Sequence, residues 1–144
     1  MTGYPKENHV KVTWTDEKSG TVIAEVKSEI KSRIPPVLDD NRHFYTPEDL
    51  FVAAGAVCFM NSVVHFTKKM HIEFKSIDIE SVGVVEQVGR SYEVTRIHTK
   101  TRLVIGDKDL KKKFERALEL GAKYCFVANS MKCPTNHEHE IVIE

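Results

Sequence analysis

An excess of charge of one sign is absent from this chain. Lys and Arg together number 21, and so do Asp and Glu, which leaves a formal net charge of zero over 144 residues. A balanced surface gives no electrostatic case for nucleic acid or an anionic membrane as a partner. Long hydrophobic runs are missing as well. The longest apolar stretch runs from Leu50 to Met60, too short for a bilayer, which needs about 20 residues. It reads as a buried helix. The stretch Met1 to Asn8 lacks a basic start followed by an apolar run, so no secretory leader is expected and a cytoplasmic location is. Cysteine is scarce, with three residues and no CxxC pair. That argues against a disulfide scaffold. Cysteines in a reducing compartment are buried filler, metal ligands or reactive thiols. The GxGxxG, P-loop, GxSxG and HExxH patterns are also absent, and no cofactor is expected.

What is present is the composition of a globular protein, 41% hydrophobic and 29% charged. The length fits one domain over residues 1–144. His9 to Thr15 and Thr21 to Lys27 alternate apolar and polar residues around a polar turn, which predicts a β-hairpin. Ile30 to Ile34 is a short third strand candidate. Pro35-Pro36 ends it, and Val37 to Tyr45 reads as a loop. Thr46-Pro47-Glu48-Asp49 is a helix start, with a capping hydroxyl, proline in the first turn and acids where the helix dipole favours them. The helix should reach about Met70. Its small residues Ala53, Ala54, Gly55 and Ala56 suggest close packing on several sides.

Phe74 to Gln87 and Tyr92 to Ile105 are long strand candidates joined by a turn at Gly89-Arg90. Asp107 caps a second helix from Lys108 to about Lys123. Tyr124 to Met131 continues helically after a break at Gly121, and Glu138 to Ile143 is a last strand. The expected class is therefore α+β, in the order β-β-(β)-α-β-β-α-β with one long apolar helix. A two-stranded unit of that length cannot bury its face alone, which makes a dimer plausible.

Two cysteines stand where chemistry is possible. Cys58 lies in the middle of the apolar helix, and Cys125 follows the second helix. Spacing alone does not show whether they meet. Cys133, His137 and His139 form a separate Cys-x3-His-x-His constellation, which together with Cys125 offers four ligands of the kinds that zinc accepts. The lysines at 108 and 111–113 have Glu115 and Glu119 at supportive helical spacing and read as a solvated face.

The run Thr46-Pro-Glu-Asp-Leu-Phe-Val-Ala-Ala-Gly-Ala-Val-Cys58-Phe resembles the first-cysteine helix of the OsmC/Ohr family. Cys125-Phe-Val-Ala-Asn-Ser-Met is similar to its second-cysteine segment, with Phe126 where the better-known branches have proline. The order of elements is similar over nearly the whole chain. The resemblance implies a thiol-dependent peroxidase in oxidative stress defence. Cys58 would be the peroxidatic thiolate, attacking an organic hydroperoxide or hydrogen peroxide and becoming a sulfenic acid. Cys125 would resolve it as a disulfide, and a thiol or dithiol reductant would restore both. Phe51, Phe59, Met60 and Phe126 are candidates to line an apolar substrate pocket.

The resemblance also makes Glu48 the family's active-site glutamate, which orients an arginine. Glu48 and Cys58 are ten helical residues apart, about 15 Å along the axis. Glu48 therefore does not reach the Cys58 thiol of its own chain. A shared site implies an intertwined homodimer with sites at the interface, or a bridging arginine. The organic-hydroperoxide branch carries its arginine after the first strand, where this chain has Asp16 to Gly20. Lys18, Arg33 and Arg42 are the candidate cations. Two rival expectations remain: a non-catalytic dimer that binds a small apolar or thiol ligand, and a zinc protein using Cys125, Cys133, His137 and His139.

Overall fold

A computed structural model describes residue 7 and residues 9–16, 19–24, 29–33 and 44–144. The chain divides into two compact units, Met1–Leu50 and Phe51–Glu144. The first unit holds a three-stranded antiparallel sheet in the order β1-β2-β3: β1 is Lys11–Asp16, β2 Ser19–Ile23 and β3 Ile30–Arg33. The expected hairpin and third strand are both there, with β2 shifted towards the turn. After β3 the chain returns at Tyr45, whose N–H donates to the Lys31 carbonyl at 2.8 Å.

Helix α1, Pro47–Lys69, starts where the sequence places it. Thr46 Oγ1 accepts from the Asp49 N–H at 3.0 Å, and the Asp49 carboxylate accepts from the Thr46 N–H at 2.9 Å. This reciprocal capping box satisfies two N–H groups that a helix start otherwise leaves orphaned. At the other end His71 adopts a positive φ of 59°. Its N–H reaches the Lys68 carbonyl and that of Ile72 reaches Thr67, the paired bonds of a Schellman stop.

The second unit contains the rest of α1 and a second sheet, in the order β4-β5-β6. Strands β4, Ser76–Val88, and β5, Ser91–Ile105, form a long hairpin closed by two residues. Gly89 supplies the positive φ, 62°, that such a tight loop requires. Strand β6, Thr135–Ile143, runs parallel to β5 from Ile97↔Thr135 to Ile105↔Ile143. It starts three residues earlier than its apolar pattern indicates. Beyond Ile97 towards its tip the hairpin has no third strand among the described residues.

Between β5 and β6 lie a 3-10 turn at Lys108–Leu110, helix α2, Lys111–Lys123, and the single-turn helix α3, Phe126–Asn129. Asp107 caps the 3-10 turn, its carboxylate accepting from the Asp109 N–H, and not α2 itself, which starts after Leu110 without a side-chain cap. Helix α2 buries Phe114, Ala117, Leu118 and Gly121, one face at helical spacing. These join Phe59 and Val63 of α1 with Leu103 and Ile105 of β5 in one core.

Gly121 is not the expected helix break; it lies inside α2. A Cβ there would stand 2.7 Å from Val63 Cγ2 and 3.3 Å from the Val63 backbone nitrogen. The glycine is what lets α1 and α2 touch. Alanine normally favours a helix interior by about 1 kcal/mol. Here the clash with the stiff, β-branched Val63 side chain, backed by its own main chain, outweighs that gain, and Gly121→Ala is expected to destabilise by about 1–3 kcal/mol in denaturant unfolding. A neutral or stabilised variant would show that the helices are not in this contact. Gly83 on β4 plays the same part against Val52, whose Cγ2 would lie 2.5 Å from an added Cβ.

By length and composition α1 could cross a membrane. Its buried residues Phe59, Val63 and Thr67 line up at four-residue spacing. Phe59 and Val63 join the core described above, so one face of α1 packs into the core of this fold.

Candidate active site

The site lies where α1 meets the junction between α2 and α3. The chain leaves α2 at Tyr124, and Cys125 is extended, with φ −70° and ψ 110°, before α3 begins. The kink turns the Cys125 side chain into the core, where it is 1% exposed. Its thiol reaches back to α1, donating a weak 3.8 Å hydrogen bond to the Gly55 carbonyl. Cys58, one helical turn beyond Gly55, lies on the same side of α1. It packs against the core cluster that holds Cys125. Neither sulfur is in a disulfide.

The two thiols are not equivalent. Burial pushes the Cys125 thiol up. The N–H groups of Ala128 and Val127 in α3 pull it down, and neighbouring Cys58 pushes it up again; the balance is upward. Cys125 is therefore a protonated thiol at neutral pH. Cys58 is only partly buried, so a reagent has access to it.

Beside Cys125 is a crevice of about 10 Å³. Val52, Gly55, Ala56 and Phe59 of α1 form one wall, and Ile97 and Thr99 of β5 another. Thr135 and His137 of β6, with Ala128 of α3, complete it. The His137 ring lies over Phe59, with centroids 4.5 Å apart and planes at 38°. Burial, with a smaller contribution from His98, holds the His137 imidazole below its ordinary value. His98 is itself bound to Glu138, Nε2 to Oε2, at 2.5 Å.

Of the residues singled out in the sequence, Cys58 and Cys125 are brought together and Glu48 stands apart. Glu48 occupies the first turn of α1, with its Oε2 shielded from solvent and without a hydrogen-bond partner among the described residues. The intact helix keeps it about 15 Å along the axis from Cys58. Lys18 and Arg42 lie outside the described residues, as does the side chain of Arg33.

Of the four expected pocket residues only Phe59 lines the crevice; Phe51 and Phe126 are exposed. The crevice holds about one water and not an organic chain. Cys125, Cys133, His137 and His139 do not form a ligand set: no three or more His, Cys, Asp or Glu among the described residues gather to hold a metal. The sequence offers His137 as a zinc ligand or as a residue alternating with His139 on a strand face. Its place beside Cys125 depends on the early start of β6, for which Thr-Asn-His-Glu-His-Glu gives no apolar signal.

This arrangement defines a class: an α+β protein with a facing dithiol, one thiol on a long core helix and the other at a kink between two helices. The chain belongs to the OsmC-like family. The family described as OsmC-like protein matches residues 39–140, most of the chain. No curated protein matches the sequence. Among solved structures, an OsmC-like protein of unknown function from Vibrio cholerae is similar at a TM-score of 0.82 and 21% identity, over 94% of this chain and 99% of that one. An organic hydroperoxide resistance protein from Elizabethkingia anophelis is similar at 0.71 and 15%, over 97% and 99%. The organic hydroperoxide resistance protein OhrB of Bacillus subtilis is similar at 0.67 and 18%, over 92% and 97%. At these identities the likeness is one of fold.

Proposed function

We propose that this protein is a two-cysteine thiol peroxidase, reducing organic hydroperoxides or hydrogen peroxide in oxidative stress defence in the cytoplasm. The observation that carries the reading is the neighbouring pair of free thiols, Cys58 and Cys125, one partly exposed and the other buried. The hydroperoxide resistance proteins of similar fold support it.

Cys58 attacks the O–O bond as thiolate. A sulfur–oxygen bond forms, the alcohol or water leaves, and Cys58 becomes a sulfenic acid. Cys125 then attacks the Cys58 sulfur and displaces its oxygen as water, giving the disulfide. A thiol or dithiol reductant returns both to thiols. Glu48 organises the cation that keeps Cys58 ionised.

The working unit in this reading is a homodimer with its sites at the interface. Only 17% of the most apolar window of α1 is buried within one chain. Val57, next to Cys58, is 53% exposed. An apolar helix of that kind needs a covering surface, and a second copy would supply both the cover and the wall that an organic substrate requires.

Thiol counting tests the reading. One equivalent of cumene hydroperoxide should consume two of the three thiols of the wild type and leave no group reactive with dimedone. Cys125→Ser should lose one thiol and take up dimedone at Cys58. A wild-type Cys58 that survives stoichiometric peroxide would end the proposal.

A further inference from the structure

The peroxidase reading leaves one proton without a carrier. Cys125 has to lose its proton to attack Cys58, yet burial holds it as the thiol. Hydroxide from bulk water has poor access to a side chain that is 1% exposed.

The crevice beside Cys125 offers a carrier. Its polar lining is Thr99, Thr135, Cys125 and His137. A volume of about 10 Å³ accommodates about one water, which needs two to four polar partners, and the lining supplies them. The imidazole is fixed from two directions. Phe59 supports its face, and the β5–β6 register sets His137 opposite Thr99, whose hydroxyl is bonded to Ser81 at 2.8 Å. The other nearby histidine, His98, is taken up by Glu138.

We propose that His137 is the proton relay of the resolving step, taking the Cys125 proton through one crevice water and returning it to the oxygen that leaves Cys58. The inference rests on the peroxidase reading for the identity of the sulfenic acid. In the step, the S–H bond of Cys125 breaks and its proton passes to His137. The Cys125 sulfur forms the S–S bond with its electron pair while the S–O bond of Cys58 breaks. Hydroxide departs with that bonding pair and takes the proton from His137 as water. Cys125 is oxidised, Cys58 is reduced, and no further reactant enters.

Being neutral at pH 7, His137 has the free lone pair that a base needs. The titratable groups around it are Cys125 at the α2–α3 kink, His98 on β5 and Glu138 beside it on β6. Both titratable partners on the strands are engaged with each other, which leaves the thiol as the group facing the crevice.

Two measurements test the relay. In the first, the lifetime of the Cys58 sulfenic acid is followed by dimedone trapping after rapid mixing with hydroperoxide, from pH 5 to 9. His137→Gln should leave the first step unchanged and slow disulfide formation by about 100-fold near pH 7. The wild-type rate should fall below an inflection under pH 6.5, the imidazole's ordinary value, and the variant should lack that inflection. Equal rates with the same pH profile would overturn the proposal.

The second measurement needs no peroxide. In a Cys58→Ser, Cys133→Ser protein the only thiol is Cys125, and the small reagent methyl methanethiosulfonate reports its reactivity. Adding His137→Gln should slow that reaction and remove the same inflection; an unchanged profile would overturn the relay. A relay present here in a protein whose wild-type Cys58 ignores peroxide would refute the peroxidase reading and leave the base intact.

Discussion

A Cys58→Ser protein is expected to consume hydroperoxide at least roughly 10³-fold more slowly than the wild type, a loss of about 4 kcal/mol of barrier lowering. The reason is chemical. A serine hydroxyl is not ionised near neutral pH and its oxygen is a poor partner for the O–O bond, whereas the thiolate is a strong nucleophile at the same position. The neighbouring thiol is not placed to replace it. Cys125 is buried and held protonated, and it is placed to meet Cys58 and not a reagent from solvent. Serine is close to cysteine in shape, and Cys58 is only partly buried, so the unfolding midpoint should stay near that of the wild type. Consumption of cumene hydroperoxide with excess dithiol, read against the unfolding curve, separates lost chemistry from lost fold. A variant as active as the wild type would exclude Cys58 as the nucleophile.

The part of this site that rests on local sequence was legible. Thr46 and Asp49 announce the start of α1 because a capping box is a contract between residues three apart. Cys58 follows at a fixed place on the helix so begun. What was not legible is where the chain meets itself. Nothing in the 66 residues between Cys58 and Cys125 states that α2 ends in a kink aimed at Gly55. The glycine that permits the approach, Gly121, has the local look of a helix breaker; its reason is Val63, far away in sequence. His137 illustrates the same limit. Its strand begins with a polar run, because the pairing of β6 with β5 is made by backbone groups and its first residues need no apolar face. Arg33, Arg42 and Lys18 remain separated only by chemistry: a guanidinium gives a fork to a carboxylate and an ammonium does not.

The second large effect concerns what holds the kink in place. Phe114 is fully buried on α2 and is the largest of the completely enclosed side chains. It shares the core with Leu103 and Ile105 of β5 and with Phe59 and Val63 of α1, and Cys58 packs against the same cluster. Phe114→Ala removes the ring from a site bounded by a sheet and by a helix already in contact at Gly121, so the gap cannot close by simple collapse. The expected loss is about 3–5 kcal/mol, a large fraction of the roughly 5–15 kcal/mol that a native protein has. It should appear as a lower denaturant midpoint with an unchanged slope. The site should register it as well. Cys125 is protected by the same packing, so its thiol in the folded Phe114→Ala protein should react faster with methyl methanethiosulfonate than in the wild type, measured well below the unfolding transition. A midpoint unchanged within about 1 kcal/mol would mean that Phe114 does not lie in the core. A lower midpoint with Cys125 still fully protected would mean that the kink is held by α3 and its bonds to the Cys125 backbone, independently of α2.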